Sequence, residues 1–426
     1  MAAASFNRGR WLTWGGYAAV MLVAPLLFTS SLSLTMLSQM GIAIISCLAF
    51  NMLLGQGGML SFGHAVYSGL GSFVAIHALN RITAGGWSMP VSLVPLIGGL
   101  AGMFFAVLLG YVTTKKAGTP FAMITLGVGE LVAAMALMFP VFFGGEGGIT
   151  GNRVAGQPFF GISFGPQSQL YYLIAVYTFV CTAAMFAFTR TPLGRMLNAS
   201  RDNPERVEFV GYNTRYVRYI AFIASGFFMG IAGGLSALNF EIVTSEVVGA
   251  ARSGAFLLFT FLGGAVFFFG PIIGAVLLVL ALVLLSELTQ AWLLYLGIVF
   301  TFMVMFAPGG IASLIMMNLR VASFGKLRSL WLVYVALFAS ALLALAGASA
   351  MIEMVYHLQL NQVQGPSMRF LGVTLNAKGV GSWAAAAAVL ALGLVLFEQA
   401  RRRFVPRWGR IQEEIEAEIK RRELVA

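Results

Sequence analysis

The sequence predicts an all-α fold: a polytopic transmembrane helical bundle of about 10–12 apolar segments, some of them broken or half-helices. Three observations predict it. Of 426 residues, 59% are hydrophobic and 10% charged, with a mean hydropathy of +0.88. Soluble domains carry roughly 45–50% apolar and about 25% charged residues, so a soluble globular fold is excluded. The apolar residues gather into twelve runs of near-spanning length, against the roughly 20 residues a helix needs to cross a bilayer. Most of the basic residues fall in alternate gaps between those runs, as the positive-inside rule requires of a multi-span chain.

The twelve runs are 11–30, 33–54, 62–79, 90–112, 121–142, 170–189, 217–240, 254–269, 271–287, 290–307, 330–351 and 383–399. Arg8 and Arg10 precede the first run and place the N-terminus inside. An uncleaved first helix is preferred to a signal peptide, and both leave residue 32 outside. Alternation then puts 21 of the 26 basic residues inside and five outside: Arg81, Arg153, Arg252, Arg369 and Lys378. The C-terminus falls inside as well. The third run carries Ser61, Gly63, His64, Ser68, Gly69, Gly71 and Ser72, the pattern of a broken or re-entrant helix. Runs eight and nine meet at Gly270-Pro271 and read as a pair of half-helices or two spans. Backbone breaks at membrane depth persist only where protein or a water-filled cavity surrounds them.

The organisation expected is a main transmembrane domain over 1–329 that includes a hydrophilic inside loop, 190–218, then an added helix pair, 330–399, and a charged tail, 400–426. In the loop, Thr191-Pro192 reads as a helix start, with an N-cap hydroxyl followed by Pro at the first position. Asp202 or Asn203 can cap a second short helix, Glu205 suits its positive end, and Gly211 can stop it. In the tail, Arg401, Arg402 and Arg403 can meet anionic lipid heads. Ile411, Ile415 and Ile419 form a narrow apolar stripe, with Glu416–Lys420 and Glu418–Arg422 at ion-pair spacing. That stripe is open to an exposed-helix reading or to contact with a partner subunit.

Much chemistry is missing. None of the five lysines is followed by Ser or Thr, so there is no P-loop. HExxH and GxSxG are absent, and the three histidines and two cysteines form no metal-ligand pattern. No enzyme activity, metal or cofactor is expected. The net charge of +11 belongs to topology rather than nucleic acid.

Several stretches together carry a resemblance. The loop GRMLNASRDNPERVEFVGYNTRYVRYIAF resembles the cytoplasmic coupling loop of ATP-binding-cassette (ABC) importer permeases. More narrowly, it is similar to the branched-chain amino acid (LivM-type) permease family, whose relatives carry urea and short amides. Gly194, Arg195, Ala199, Arg201, Asp202, Asn203, Glu205 and Gly211 match the pattern. In order along the chain, 51–73, 123–132, 144–151, 261–276 and 306–311 resemble five further family motifs, so the likeness spans roughly 33–315. Val266 replaces a family glycine and is followed by Phe267, Phe268 and Phe269; residues 330–426 lie beyond the family's usual end.

The resemblance implies a transport subunit with ATPase subunits as separate partners, a second related permease making a heterodimer, and a periplasmic solute-binding protein. The bacterial inner membrane is the implied location. Candidate substrate-path residues are Gly57, Ser61, His64, Thr125, Glu130 and Gly148. Glu130 stands mid-span, where a charge is costly and marks function by default; tying helices together is the other reading. His64 can cap a broken helix, line the path or bond a carbonyl. The glycines allow a cavity or tight helix packing. Half-helix N-termini at Gly57-Gly58 and Gly270-Pro271 are candidate carboxylate sites. An ion-coupled secondary transporter using Glu130 is the alternative from a different class.

Overall fold

The computed structural model describes residues 8–154, 163–360 and 365–425. All twelve apolar runs lie on helices. Those helices are α1 (Arg8–Leu27), α2 (Ser31–Gly57), α3 (Ala65–Thr83), α4 (Val94–Thr113), α5 (Thr119–Met138), the short α6 (Pro140–Phe143), α7 (Gln167–Arg190), α8 (Pro192–Asp202), α9 (Pro204–Phe209) and α10 (Thr214–Phe240). There follow α11 (Ala250–Gly263), α12 (Gly270–Leu280), α13 (Ser286–Leu288), α14 (Trp292–Phe306), α15 (Gly310–Ser323), α16 (Trp331–Leu360) and α17 (Val380–Val425). Among the described residues, eight helical stretches are long and apolar enough to span a membrane, or nine if α14 and α15 are one broken span. The protein is a multi-pass membrane protein.

The chain forms two compact units, Met1–Val283 with Phe302–Ala312, and Leu284–Thr301 with Ser313–Ala426. In the first unit, α2 and α10 are wrapped by protein: 78% and 72% of their apolar windows are buried. Beside them α3, buried along most of its length, packs against α10 and α4. Its Ser, Gly, His and Asn content is tolerable because it meets protein rather than lipid. Small residues bring α4 and α10 backbone to backbone. A Cβ added at Gly230 would sit 2.2 Å from the Gly98 carbonyl, and one at Gly102 would sit 2.4 Å from that of Gly226. Gly98, Gly102 and Ala106 thus face Gly226, Gly230 and Gly234 at four-residue spacing, the small-xxx-small packing of membrane helices. The N-terminal helix α1 docks on α7 through Trp14 against Phe179 and Phe186, and through the Tyr171 hydroxyl, which donates to the Met21 carbonyl at 2.8 Å.

The expected break at Gly270-Pro271 is real and asymmetric. With 14 residues, α11 reaches about 21 Å at 1.5 Å per residue, short of a span. Gly264, at φ +113, turns the chain back, and α12 then runs through a π turn at Ala281–Leu285 into α13. A half-helix followed by a spanning helix therefore replaces the symmetrical pair. At the other end of this unit, β1 (Ile149–Thr150) pairs antiparallel with β2 (Ile242–Val243). Arg153 clamps the same region, donating to the carbonyls of Phe164, Leu238 and Asn239 and lying 3.8 Å from a Glu241 oxygen.

In the second unit α16 and α17 are antiparallel, meeting closely where Gly347 faces Leu390 and Gly393 faces Ala344. The hairpin of β3 (Ser367–Phe370) and β4 (Val373–Asn376) covers one end with Trp383 and Met354. The stretch 308–329, read as a loop, contains α15. The last apolar run and the tail are one continuous helix, α17. The tail's apolar stripe is spent inside the chain: Ile411 and Ile415 bury against Val321 and Leu330, with Ile419 beside them. Ion pairs form at Lys326–Glu414 and between Glu398 and both Arg401 and Arg402. Glu416–Lys420 is not among the ion pairs of the described residues, and the Arg422 side chain lies outside them.

Candidate functional site

The hydrophilic loop folds as its sequence dictates. The Thr191 hydroxyl accepts the Gly194 amide at 3.2 Å, and Pro192 occupies the first position of α8. Asn203, rather than Asp202, caps α9, accepting the Arg206 amide at 3.0 Å. Gly211 at φ +94 ends the pair just beyond α9. Gly194 is buried, and a Cβ there would stand 2.3 Å from the Phe188 carbonyl. Arg195, Asp202 and Glu205 are exposed and Ala199 is half-buried. Met196, Ala199, Asn203, Arg206, Val207 and Val210 line a shallow groove of about 330 Å³ between the two helices. Phe209 is 89% exposed and Val210 68%. Two large apolar side chains thus stand exposed on an otherwise polar hairpin. Sequence reading passed over Met196, Phe209 and Val210, although their apolar character on so polar a loop was the available signal.

The hairpin is tied to the broken end of α2. Arg201 donates from its guanidinium to the Gly55 carbonyl and pairs with Asp202 at 2.9 Å. Asn198 donates to Gln56 at 2.7 Å. Leu197 covers Gly57, where an added Cβ would meet it at 3.1 Å. Gly58, at φ +62, closes α2: its amide bonds the Leu54 carbonyl, and that of Met59 bonds the Leu53 carbonyl. This left-handed cap satisfies helix-end carbonyls that otherwise lack donors. Gln56 and Asn198 had no sequence signal as a pair, since nothing local joins positions so far apart.

From Gly58 the chain crosses to α3 by a short interior loop. Ser61 and His64 are wholly buried. The loop is wedged against α5, where the Thr125 hydroxyl accepts the Phe62 amide at 3.2 Å. A Cβ at Gly63 would stand 2.0 Å from the Thr125 carbonyl. His64 Nε2 lies 2.8 Å from the Ser225 hydroxyl, which itself donates to the Ala49 carbonyl at 2.6 Å. Ser225 has a single proton, so it accepts from an Nε2–H and the imidazole is the Nε2-protonated tautomer. Phe50, Tyr67 and Phe222 surround the ring. Among the described residues, His64 Nδ1, Ser61 Oγ and Asn51 Oδ1 are buried without a partner. Such groups are rare in folded proteins and call for an explanation such as water or ligand.

The candidate path residues do not all converge. Gly57, Ser61, His64 and Thr125 belong to this interior break. Glu130 does not: five residues beyond Thr125, it lies on the outward face of α5 and is exposed. It shares that face with Gly127, beside which a Cβ would meet nothing within 4 Å, and with Met123, which is 61% exposed. Glu130 ties no helices together among the described residues. Gly148 lies at the opposite end, just before β1, at φ +69, where a Cβ would strike the Val243 carbonyl of β2 at 2.4 Å; this close backbone approach accounts for it.

The expected half-helix carboxylate sites are occupied by the chain itself. At the start of α3 the Ala65 amide donates to Ser253 at 2.9 Å, and those of Val66 and Tyr67 to the Gly63 and His64 carbonyls. At the start of α12 the Gly270, Ile272 and Ile273 amides bond Phe267 and Phe269 carbonyls, and Pro271 has no amide hydrogen.

No solved structure matches the chain. The LivM permease protein of the high-affinity branched-chain amino acid transport system of Escherichia coli (strain K12) is 27% identical over 292 residues, covering 63% of this chain and 67% of the relative. Its namesake from Salmonella typhimurium (strain LT2) is 27% identical over 303 residues, covering 66% and 70%. A family model described as branched-chain amino acid transport system, permease component, matches residues 32–309, a span that takes in the interior break, the α8–α9 hairpin and the α11 half-helix. Over that span of nearly two thirds of its length, the chain belongs to the permease-component family of branched-chain amino acid transport systems.

Proposed function

We propose that this chain is the permease subunit of an ATP-binding-cassette importer and forms part of the translocation path for a small polar solute, with branched-chain amino acids the favoured class. The observation that carries the reading is the junction between α8 and the broken end of α2, where Arg201 and Asn198 hold Gly55 and Gln56. A hairpin that only fixed topology would need no such tie.

In this reading separate ATPase subunits grip the α8–α9 hairpin through Arg195, Ala199, Asp202, Glu205 and the exposed Phe209. Arg201, Asn203, Gly194 and Gly211 hold the hairpin in shape. Displacement of α8 pulls on Gly55–Gly58, and the interior loop with Ser61 and His64 passes that pull to α5 through Thr125. The path runs along the outward face of α5, because an unpaired carboxylate in mid-span is costly against lipid. A second, related permease closes the other side of the path. A periplasmic binding protein delivers the solute to the end that carries Gly148. The location is the bacterial inner membrane, with both termini cytoplasmic, which sets the hairpin on the ATPase side. None of these observations supports the ion-coupled alternative.

The test is purification of the tagged chain from its own membrane in mild detergent, followed by the double variant Ala199→Glu, Phe209→Asp. A P-loop ATPase and a second permease should accompany the wild-type chain. The variant should lose the ATPase while keeping its helix content and thermal stability. A wild-type chain that holds no ATPase, or a variant that still holds it fully, refutes the reading.

A further inference from the structure

The α16–α17 pair carries two adjoining cavities that the transport reading does not use. One, of about 530 Å³, is a groove between the helices, lined by Leu332, Ala336, Ala339, Leu343 and Leu396, with Arg403 and Arg407 at its mouth. The other, of about 560 Å³, lies beyond that mouth and is lined by Arg407, Arg410, Lys326 and Ser329. Arg407 belongs to both.

Three features decide what fits. First, the groove is mostly apolar, with Ser340 and Gln399 among its lining, and about one leaflet deep. From Leu332 to Leu343 it runs about 16 Å at 1.5 Å per residue, close to one leaflet of a hydrocarbon core about 30 Å thick. Second, the level of its mouth is marked by Trp331, 62% exposed, and by Trp408 stacked on Phe404; tryptophans gather at the membrane–water boundary. Third, the charges are sorted. Glu398 is taken by Arg401 and Arg402, and Glu414 by Lys326. Arg403, Arg407 and Arg410 stand at i, i+4 and i+7 on one face of α17, exposed, with no ion pair or hydrogen bond among the described residues. Guanidinium groups present planar forks that match phosphate oxygens.

We infer that this pair of cavities binds one anionic diacyl phospholipid, with its phosphate on Arg403, Arg407 and Arg410 and an acyl chain in the α16–α17 groove. An acidic protein surface would satisfy the arginines but not the groove behind them. A free phosphate would leave the groove empty as well. The site is distinct from the diffuse attraction of any basic tail for an anionic leaflet, because three aligned guanidiniums and a chain-length groove meet at one residue.

The probes are dioleoyl-phosphatidylglycerol, dioleoyl-phosphatidylcholine and water-soluble glycerol phosphate, added to the delipidated full-length chain and read by native mass spectrometry and thermal unfolding. Wild-type protein should retain one phosphatidylglycerol and be stabilised by it, with phosphatidylcholine and glycerol phosphate without effect. The triple variant R403Q/R407Q/R410Q should bind it about tenfold more weakly or worse, the order expected for losing several interfacial arginines. Ala339→Phe, which fills the groove and leaves every charge, should also lose the bound lipid. K116Q/K420Q/R421Q removes equal charge elsewhere and should bind as wild type. Far-ultraviolet circular dichroism of each variant checks that the helices persist. Equal loss in the charge-matched control, retention by Ala339→Phe, or equal binding of glycerol phosphate overturns the inference. So does capture of an acidic protein by the wild-type chain with no lipid retained.

Discussion

Arg201 in α8 donates to the main-chain carbonyl of Gly55 in α2, 146 residues earlier in the chain. The acceptor is one of the last carbonyls of α2, which have no partner within the helix. A guanidinium there also opposes the negative end of the helix dipole. One side chain therefore satisfies the break in α2 and ties it to the polar hairpin.

That tie predicts a separation of binding from transport. Arg201→Ala should leave ATPase subunits bound, because their proposed contacts are elsewhere on the hairpin. Solute uptake in proteoliposomes should fall at least about tenfold, in line with the roughly 1.5–3 kcal/mol of a charge-assisted hydrogen bond. ATP hydrolysis should continue without uptake. Uptake equal to wild type would show that α8 does not act through Gly55.

The interior loop predicts a steric limit. Gly63→Ala places a Cβ 2.0 Å from the Thr125 carbonyl, which is backbone and cannot swing away. Overpacking of this kind costs roughly 1–3 kcal/mol or more. The variant should lose thermal stability in detergent by several degrees. The same substitution at Gly127, with nothing within 4 Å, should leave the melting temperature unchanged.

The relay through His64 predicts an orphaned donor. Ser225→Ala removes the acceptor of the Nε2–H and the donor to Ala49. Leaving a buried polar group unsatisfied costs about 1–3 kcal/mol. Thermal unfolding should show the loss, and Ser225→Thr, which keeps the hydroxyl, should recover most of it.

The outward face of α5 predicts water at mid-span. Cys47 and Cys181 are both buried, so a single added thiol reports its own surroundings. Glu130→Cys should react with a membrane-impermeant thiol reagent in the assembled transporter. Val132→Cys, at a site 6% exposed, should not. An inert Glu130→Cys would place this face against lipid or dry protein.

The helices were legible in the sequence, and so was the cap of α8, because apolar length and Thr-Pro act locally; for α9 the sequence left Asp202 and Asn203 both open. The break at Gly57-Gly58 was legible as a glycine pair. Which way it faced was not. Gly63 and Thr125, Asn198 and Gln56, and Arg201 and Gly55 meet only through the tertiary fold. Glu130 is marked by its charge, but its separation from Thr125 follows from the helical turn: five residues carry a side chain one full turn and about 140° further, towards the opposite face. The tail was divided where apolar residues give way to charge at residue 400. The helix ignores that boundary, since backbone hydrogen bonding continues through it and Ile411 and Ile415 find an apolar seat within the chain.

The enclosure of α3 bears on how the protein is made. This helix is absent from those apolar enough to span a membrane by themselves. Its Ser72 hydroxyl donates to the carbonyl of Gly233, and its Gly71 rests against Gly230, both on α10 and some 160 residues further along the chain. During synthesis α3 emerges long before those partners exist. Until α10 arrives, this marginally hydrophobic segment has only α4 and its own backbone to meet its polar groups. Ribosomal output up to residue 213 can pack α3 on α4 but lacks the α10 carbonyl and glycine that Ser72 and Gly71 meet.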